Sequence, residues 1–246
     1  MLNHIGLQLY SIRELMNKDF EDSVRKAAAL GFTGVETAGF PGTTPQAARK
    51  LFDLLGLKVV GAHTRPPVGD QKNEVIETMA TIGCTRVINP SLPRDEIKTM
   101  DGIKRACDMM NEAAANAHPH GMTIGIHNHW WEMQKVDGEY VYRLMLKLLD
   151  PSIFFEVDTY WVKYAGLDPA SVVKELGSRA PLLHLKDGPA ESNEQPMVAL
   201  GTGVMDIPAI LAASGNHLEY PIVEFDRCAT DIFEALSASV KYLRSL

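Results

Sequence analysis

Four pairs of side chains able to ligate a metal or move a proton stand two residues apart: His127 with His129, Glu156 with Asp158, His184 with Lys186, and Glu224 with Asp226. Each pair sits at or near the end of a short aliphatic run. On an extended strand, residues two apart point to the same face. The neighbours on the other face, Ile126, Val157, Leu183, Leu185, Val223 and Phe225, are apolar and are expected to pack outward. Imidazoles and carboxylates gathered on one buried face need a cation or dense mutual pairing, because an uncompensated buried carboxylate is costly. A divalent metal satisfies that need most economically. The alternative is a hydrogen-bonded polar cluster without an ion.

Eight strand-like runs position these groups: HIGLQLY from His4, TGVET from Thr33, LKVVGAH from Leu57, TRVINP from Thr85, MTIGIHNH from Met122, IFFEVD from Ile153, PLLHLKD from Pro181 and PIVEF from Pro221. Helical patterns lie between them, among them DFEDSVRKAAAL after Asp19, TPQAARKLFDLL after Thr44 and DIFEALSASVKYL after Asp231. Thr44 followed by Pro45 suits a helix start, and Gly31 and Gly56 suit helix ends. Strands alternating with helices imply parallel pairing with right-handed crossovers, and eight such units close most simply into an α/β fold of one domain, a (β/α)8 TIM barrel over residues 1–246. A doubly wound open sheet is the competing architecture, but no GxGxxG or P-loop is present. The irregular segment DGPAESNEQPMVALGTG from Asp187 reads as a loop over the barrel mouth. In such a barrel the active site lies at the C-terminal strand ends, where the paired polar residues fall.

The bulk composition narrows the partner. A net charge of -7 with 46% hydrophobic residues describes a globular chain poorly suited to polyanions. Nucleic acid is therefore not expected, and a small neutral or weakly charged ligand is. Cys84, Cys107 and Cys228 show no CxxC spacing and read as reduced thiols in a cytoplasmic protein. The first residues lack the pattern of a signal peptide, and no run of 18 apolar residues points to a membrane. A homo-oligomer is compatible with all of this.

The segments GLQLYSIR, GVE, HNH, VDTYWV, HLKD, GTGVMD and VEFD, in this order from Gly6 to Asp226, resemble the sugar phosphate isomerase/epimerase family of xylose-isomerase-like barrels. The resemblance implies one divalent metal ion (manganese, zinc, magnesium or cobalt) held by one residue from each of the last four strands: His127, Asp158, His184 and Glu224. Many relatives carry ENH where this chain has His127-Asn128-His129, so a histidine stands where a carboxylate is common. That departure weakens a symmetric two-glutamate epimerase mechanism. Patterns with HNH are similar to those of proteins acting on keto-sugars and keto-inositols, by elimination as well as isomerisation.

Proton abstraction beside a carbonyl is the step these reactions share, with the metal polarising substrate oxygens. Glu224 is expected to be ligand and base. The second acid or base is sought among His127, His129, Glu132 and His63. Lys186 could contact a substrate oxygen or pair with Glu156 or Asp187. Glu36, Gln8, Tyr10 and His63 end early strands and could meet substrate hydroxyls, and Trp161, with Trp130, Trp131 and Tyr160, could stack on a sugar face or simply pack between barrel and loops.

The leading expectation is thus an isomerase or epimerase of a sugar or keto-sugar, with a dehydratase or lyase using the same enolate as the alternative. An endonuclease IV-like hydrolase would need more ligands on the early strands and a basic groove; a non-catalytic sugar-binding barrel would be expected to have lost ligands. His4, His118, His120 and His217 stand alone and read as packing or surface residues. Gly201-Thr202-Gly203 reads as loop geometry rather than a phosphate cradle, with Asp206 capping the next helix. No Arg/Lys cluster marks a phosphate site, although Arg13, Arg65 and Arg227 could each lie near the mouth.

Overall fold

The computed structural model describes residues 2 and 4–246. Eight parallel strands close into a barrel: β1 (Gly6–Gln8), β2 (Gly34–Thr37), β3 (Lys58–His63), β4 (Arg86–Asn89), β5 (Thr123–His127), β6 (Phe154–Asp158), β7 (Leu182–Leu185) and β8 (Tyr220–Val223). Each strand pairs with its sequence neighbours and β8 returns to β1, with Gly6 opposite Ile222. The eight expected runs are therefore the eight barrel strands, although several end earlier than the aliphatic pattern suggests. A two-stranded hairpin, Lys135–Val136 with Glu139–Tyr140, extends the β5 connection.

Local chemistry sets the crossover helices. Asp19, Thr44, Asp206 and Asp231 each accept a backbone N–H from the first turn of the helix that follows. Caps of this kind are worth about 1 kcal/mol each. Gly31 and Gly56 follow helices with φ of +97° and +67°, the left-handed region that a side chain disfavours.

Period-two alternation divides the apolar residues into two cores. Ile126, Val157, Leu183, Leu185, Val223 and Phe225 join the large cluster between strands and helices. Inside the barrel, Val60, Ile88, Phe154, Leu182, Tyr220 and Ile222 make a separate apolar floor. Gly125 leaves room there for the Phe154 ring, which a Cβ would strike. Above this floor the inward positions turn polar, and Gln8, Glu36, Glu156 and His184 are fully buried. A floor whose only side-chain polar atom is the Tyr220 hydroxyl directs the hydrogen-bonding demand of that layer toward the mouth and its own members.

Candidate active site

At the mouth, β5, β6, β7 and the residue after β8 bring His127, Asp158, His184 and Glu224 together, with one donor atom from each within 4.8 Å of the others. His127 Nε2 lies 3.3 Å from Asp158 Oδ2, and His184 Nδ1 lies 2.6 Å from Glu224 Oε2. All four atoms are buried and none makes a hydrogen bond of good angular geometry, although Lys186 Nζ stands 2.8 Å from both Asp158 Oδ2 and Glu224 Oε2. Native interiors rarely leave one such atom unsatisfied, and four converging on one point fit a bound divalent ion.

Both imidazoles are turned the same way with respect to that point. His127 Nδ1 lies 3.0 Å from the Pro90 carbonyl, which can only accept, so Nδ1 carries the proton and Nε2 presents a lone pair inward. His184 Nε2 lies 2.7 Å from Glu36 Oε2, leaving Nδ1 to face Glu224. The two ligand-type histidines thus offer opposite ring nitrogens.

Asp158 uses both oxygens. Its Oδ1 accepts from Tyr160 N–H and Trp161 N–H at 3.0 and 3.1 Å, capping the short helix Thr159–Tyr164, so Oδ2 is aimed into the site. The Asn128 amide fixes the strand end: its Oδ1 accepts from Asp158 N–H at 3.0 Å and its Nδ2 donates to Asp158 O at 3.2 Å. Asn128 escaped the sequence reading, although an amide between two histidines was the available signal.

Lys186 is fully buried, and it pairs with neither Glu156 nor Asp187 as expected. Its Nζ donates to Asp226 Oδ2 at 2.6 Å and stands 2.8 Å from both Asp158 Oδ2 and Glu224 Oε2. Burial opposes its charge, but Asp158, Asp226 and Glu224 hold its pKa well above the ordinary value. In this layer three carboxylates meet one ammonium, leaving a deficit of positive charge that a divalent ion balances.

Burial works to raise the Glu224 pKa, but Lys186 and His184 hold it well below the usual carboxylate range, so it is ionised. Burial likewise opposes the charge on Asp158, and Lys186 and His127 bring its pKa down to about 2. Glu132 is the opposite case: burial pushes it up to about 7 against the His129 N–H bonded to its Oε2 at 2.9 Å, and its Oε1 has no partner.

Alternation fails at His129, because β5 ends at His127. The chain turns there, and the His129 ring stacks on Trp131 at 4.1 Å between centroids while standing edge-on to His127 at 5.0 Å. Burial, with His127 and Lys186 nearby, lowers its pKa to about 2. Trp161 is buried beneath Lys186, with Nζ 5.4 Å from the ring, and packs on Trp130. Tyr10 is exposed at the rim, under the Arg13 guanidinium.

Below the mouth, Glu36 is fully buried and His63 partly so, and the two face each other at 3.1 Å. His63 Nε2 lies 2.6 Å from Glu156 Oε2, and Glu36 Oε2 accepts from Gln8 and faces His184. Glu36, His63, Glu156 and His184 also form a group of ligand types, in which Glu36 Oε2, Glu156 Oε2, His63 Nε2 and His184 Nε2 bond to one another. Asp187 fills the glycine loop: its carboxylate accepts from the backbone N–H groups of Gly188, Gly201, Gly203 and Met205, so that nest holds a side chain. Arg13 donates to the Tyr10 and Asp226 carbonyls, Arg65 to Gln71 and Arg227 to the Asn193 carbonyl.

The family model for the xylose isomerase-like TIM barrel matches residues 24–214, and the chain belongs to that family. It is 26% identical over 207 residues to a 2-epi-5-epi-valiolone 7-phosphate 2-epimerase from an Actinoplanes species, covering 74% of this chain and 73% of the relative. A sugar phosphate isomerase/epimerase from Parabacteroides distasonis superposes with a TM-score of 0.83 at 27% identity, covering 100% and 99% of the two chains. A probable 3-DHS dehydratase from Bacillus anthracis shares the fold, with a TM-score of 0.72 at 14% identity over 98% of each chain. Among the described residues no helix is long and apolar enough to cross a membrane.

Proposed function

We propose that the protein is a divalent-metal-dependent isomerase or epimerase of a sugar or keto-sugar, with His127, Asp158, His184 and Glu224 as the metal ligands. The observation that carries this reading is the convergence of four buried ligand-type atoms, one from each residue, within 4.8 Å of one another. A divalent ion there would polarise the substrate's carbonyl and hydroxyl oxygens and stabilise the charge that develops as the proton leaves. Glu224, held ionised, takes the proton from the carbon beside the carbonyl. Glu132 is the candidate for the returning acid, because two carboxyls whose pKa values are driven apart suit opposite halves of one proton transfer. Lys186, kept charged by Asp226, adds a fixed positive charge beside the reacting oxygens.

Elimination from a keto-sugar is the second reading. It is favoured by His127 standing opposite Glu224, where a symmetric two-base epimerase would carry a second carboxylate, and by the neutral-range Glu132, suited to protonating a departing oxygen. Metal content after reconstitution with each of manganese, zinc, magnesium and cobalt, followed by product analysis on ketoses, keto-glycosides and their phosphates, tests both. One bound ion per chain with a stereoisomer as product supports the first reading, and a dehydrated product the second. A folded chain that binds none of these ions contradicts both.

A further inference from the structure

A chain of hydrogen bonds with a fixed direction runs beneath the site. The Tyr10 backbone N–H, which can only donate, points at Gln8 Oε1 at 3.0 Å. That contact settles which way the Gln8 amide faces, so its Nε2 donates to Glu36 Oε2. Glu36 Oε2 is therefore an acceptor, and the His184 nitrogen 2.7 Å away is the protonated Nε2. In the metal-loaded state, where the imidazole would be neutral, protonation at Nε2 leaves the lone pair at Nδ1, the atom facing Glu224. The second buried carboxylate stands farther off: Glu156 Oε2 is 3.2 Å from His184 Nε2, against 2.7 Å for Glu36 Oε2, and lies 2.6 Å from His63 Nε2. Gly61, opposite Glu36 across β2 and β3, gives the carboxylate its space, since a Cβ there would strike Glu36 Oε1.

We infer that Gln8 and Glu36 are positioning residues that fix the tautomer and aim of His184, so that the backbone N–H of Tyr10, in the turn after β1, determines which imidazole nitrogen is offered to a metal. This rests on the metal site proposed above. Acceptors behind a ligating histidine orient it and raise its basicity, and losing one costs about 10–100-fold in metal affinity. Neither Gln8 nor Glu36 needs to touch substrate for this effect, which agrees with their complete burial.

The test uses zinc as the probe, with affinity measured by chelator competition and the histidine nitrogens read by long-range proton–nitrogen NMR on the zinc-loaded protein. The wild type is expected to show His184 protonated at Nε2 and coordinated through Nδ1. E36M, which removes the acceptor, is expected to bind zinc about 10–100-fold more weakly, and E36Q, which keeps an acceptor without its charge, to fall between. Q8M should weaken zinc in the same direction by less. Coordination through His184 Nε2 in the wild type, a result that needs no variant, overturns the inference while leaving the metal site standing. Wild-type zinc affinity in folded E36Q and E36M does the same. A wild-type chain that binds no zinc overturns the metal site and this inference together.

Discussion

Asp158 Oδ2 and His127 Nε2 face each other at 3.3 Å, with Lys186 Nζ 2.8 Å from the same carboxylate oxygen. The other oxygen of Asp158 is committed to capping the helix Thr159–Tyr164. One carboxylate therefore carries a structural duty on one side and a ligand's duty on the other, and substitution can separate them. D158N retains an acceptor for the cap and is expected to fold with stability within about 1 kcal/mol of the wild type while losing most metal affinity. D158A loses the cap as well, at a further cost of about 1 kcal/mol. Chemical denaturation beside metal titration distinguishes the two; equal metal affinity in D158N and wild type would remove Asp158 from the ligand set.

Glu224→Gln preserves shape and removes both the negative charge and the base. Turnover is expected to fall at least about 10²–10⁴-fold, the range of a lost general base, with the circular dichroism spectrum unchanged. Full activity in E224Q would end the assignment of Glu224.

Glu132 makes stability depend on pH in a defined direction. Its folded pKa of about 7 lies above the ordinary glutamate value, so the folded state holds a proton that the unfolded chain releases at lower pH. Its contribution is fully present below about pH 4 and is lost as pH rises through about 7, where it reaches on the order of 3 kcal/mol. E132Q cannot ionise, and is expected to melt at higher temperature than the wild type at about pH 8.5 with the difference vanishing near pH 4. A difference of the same size at both pH values would contradict a buried, neutral Glu132.

The loop after β7 depends on Asp187. A Cβ at position 203 would overlap its carboxylate and the Gly188 nitrogen, so G203A must disturb a nest of four N–H bonds. We expect a loss of about 1–3 kcal/mol, measured by urea denaturation. Wild-type stability in G203A would show that the loop accommodates the methyl group without the nest.

The barrel was legible because its signal is periodic and repeated eight times, and the caps at Thr44 and Asp206 because a cap is a local feature. Strand ends in a closed barrel must converge, which brought the four later pairs together, and the resemblance to the family singled out His127, Asp158, His184 and Glu224 among them. What alternation could not supply was where each strand stops. His129 was placed beside His127 as though β5 continued, whereas the turn at Asn128 sends its ring onto Trp131. Lys186 was assigned the wrong partners, since a long flexible stem lets its ammonium choose among every carboxylate within reach. Glu36 and Gln8 sit on early strands like rim residues, and only the closed barrel reveals them lying under His184.

Proton exchange is the most direct test of the central claim. The reconstituted protein would be incubated in deuterium oxide with ketoses, keto-glycosides and their phosphates, with and without chelator, and the substrate followed by proton NMR. The account predicts metal-dependent loss of the signal from the hydrogen on the carbon beside the carbonyl, abolished in E224Q. Turnover of any of these substrates without solvent deuterium entering that position, or exchange that persists undiminished after the metal is stripped, would contradict it.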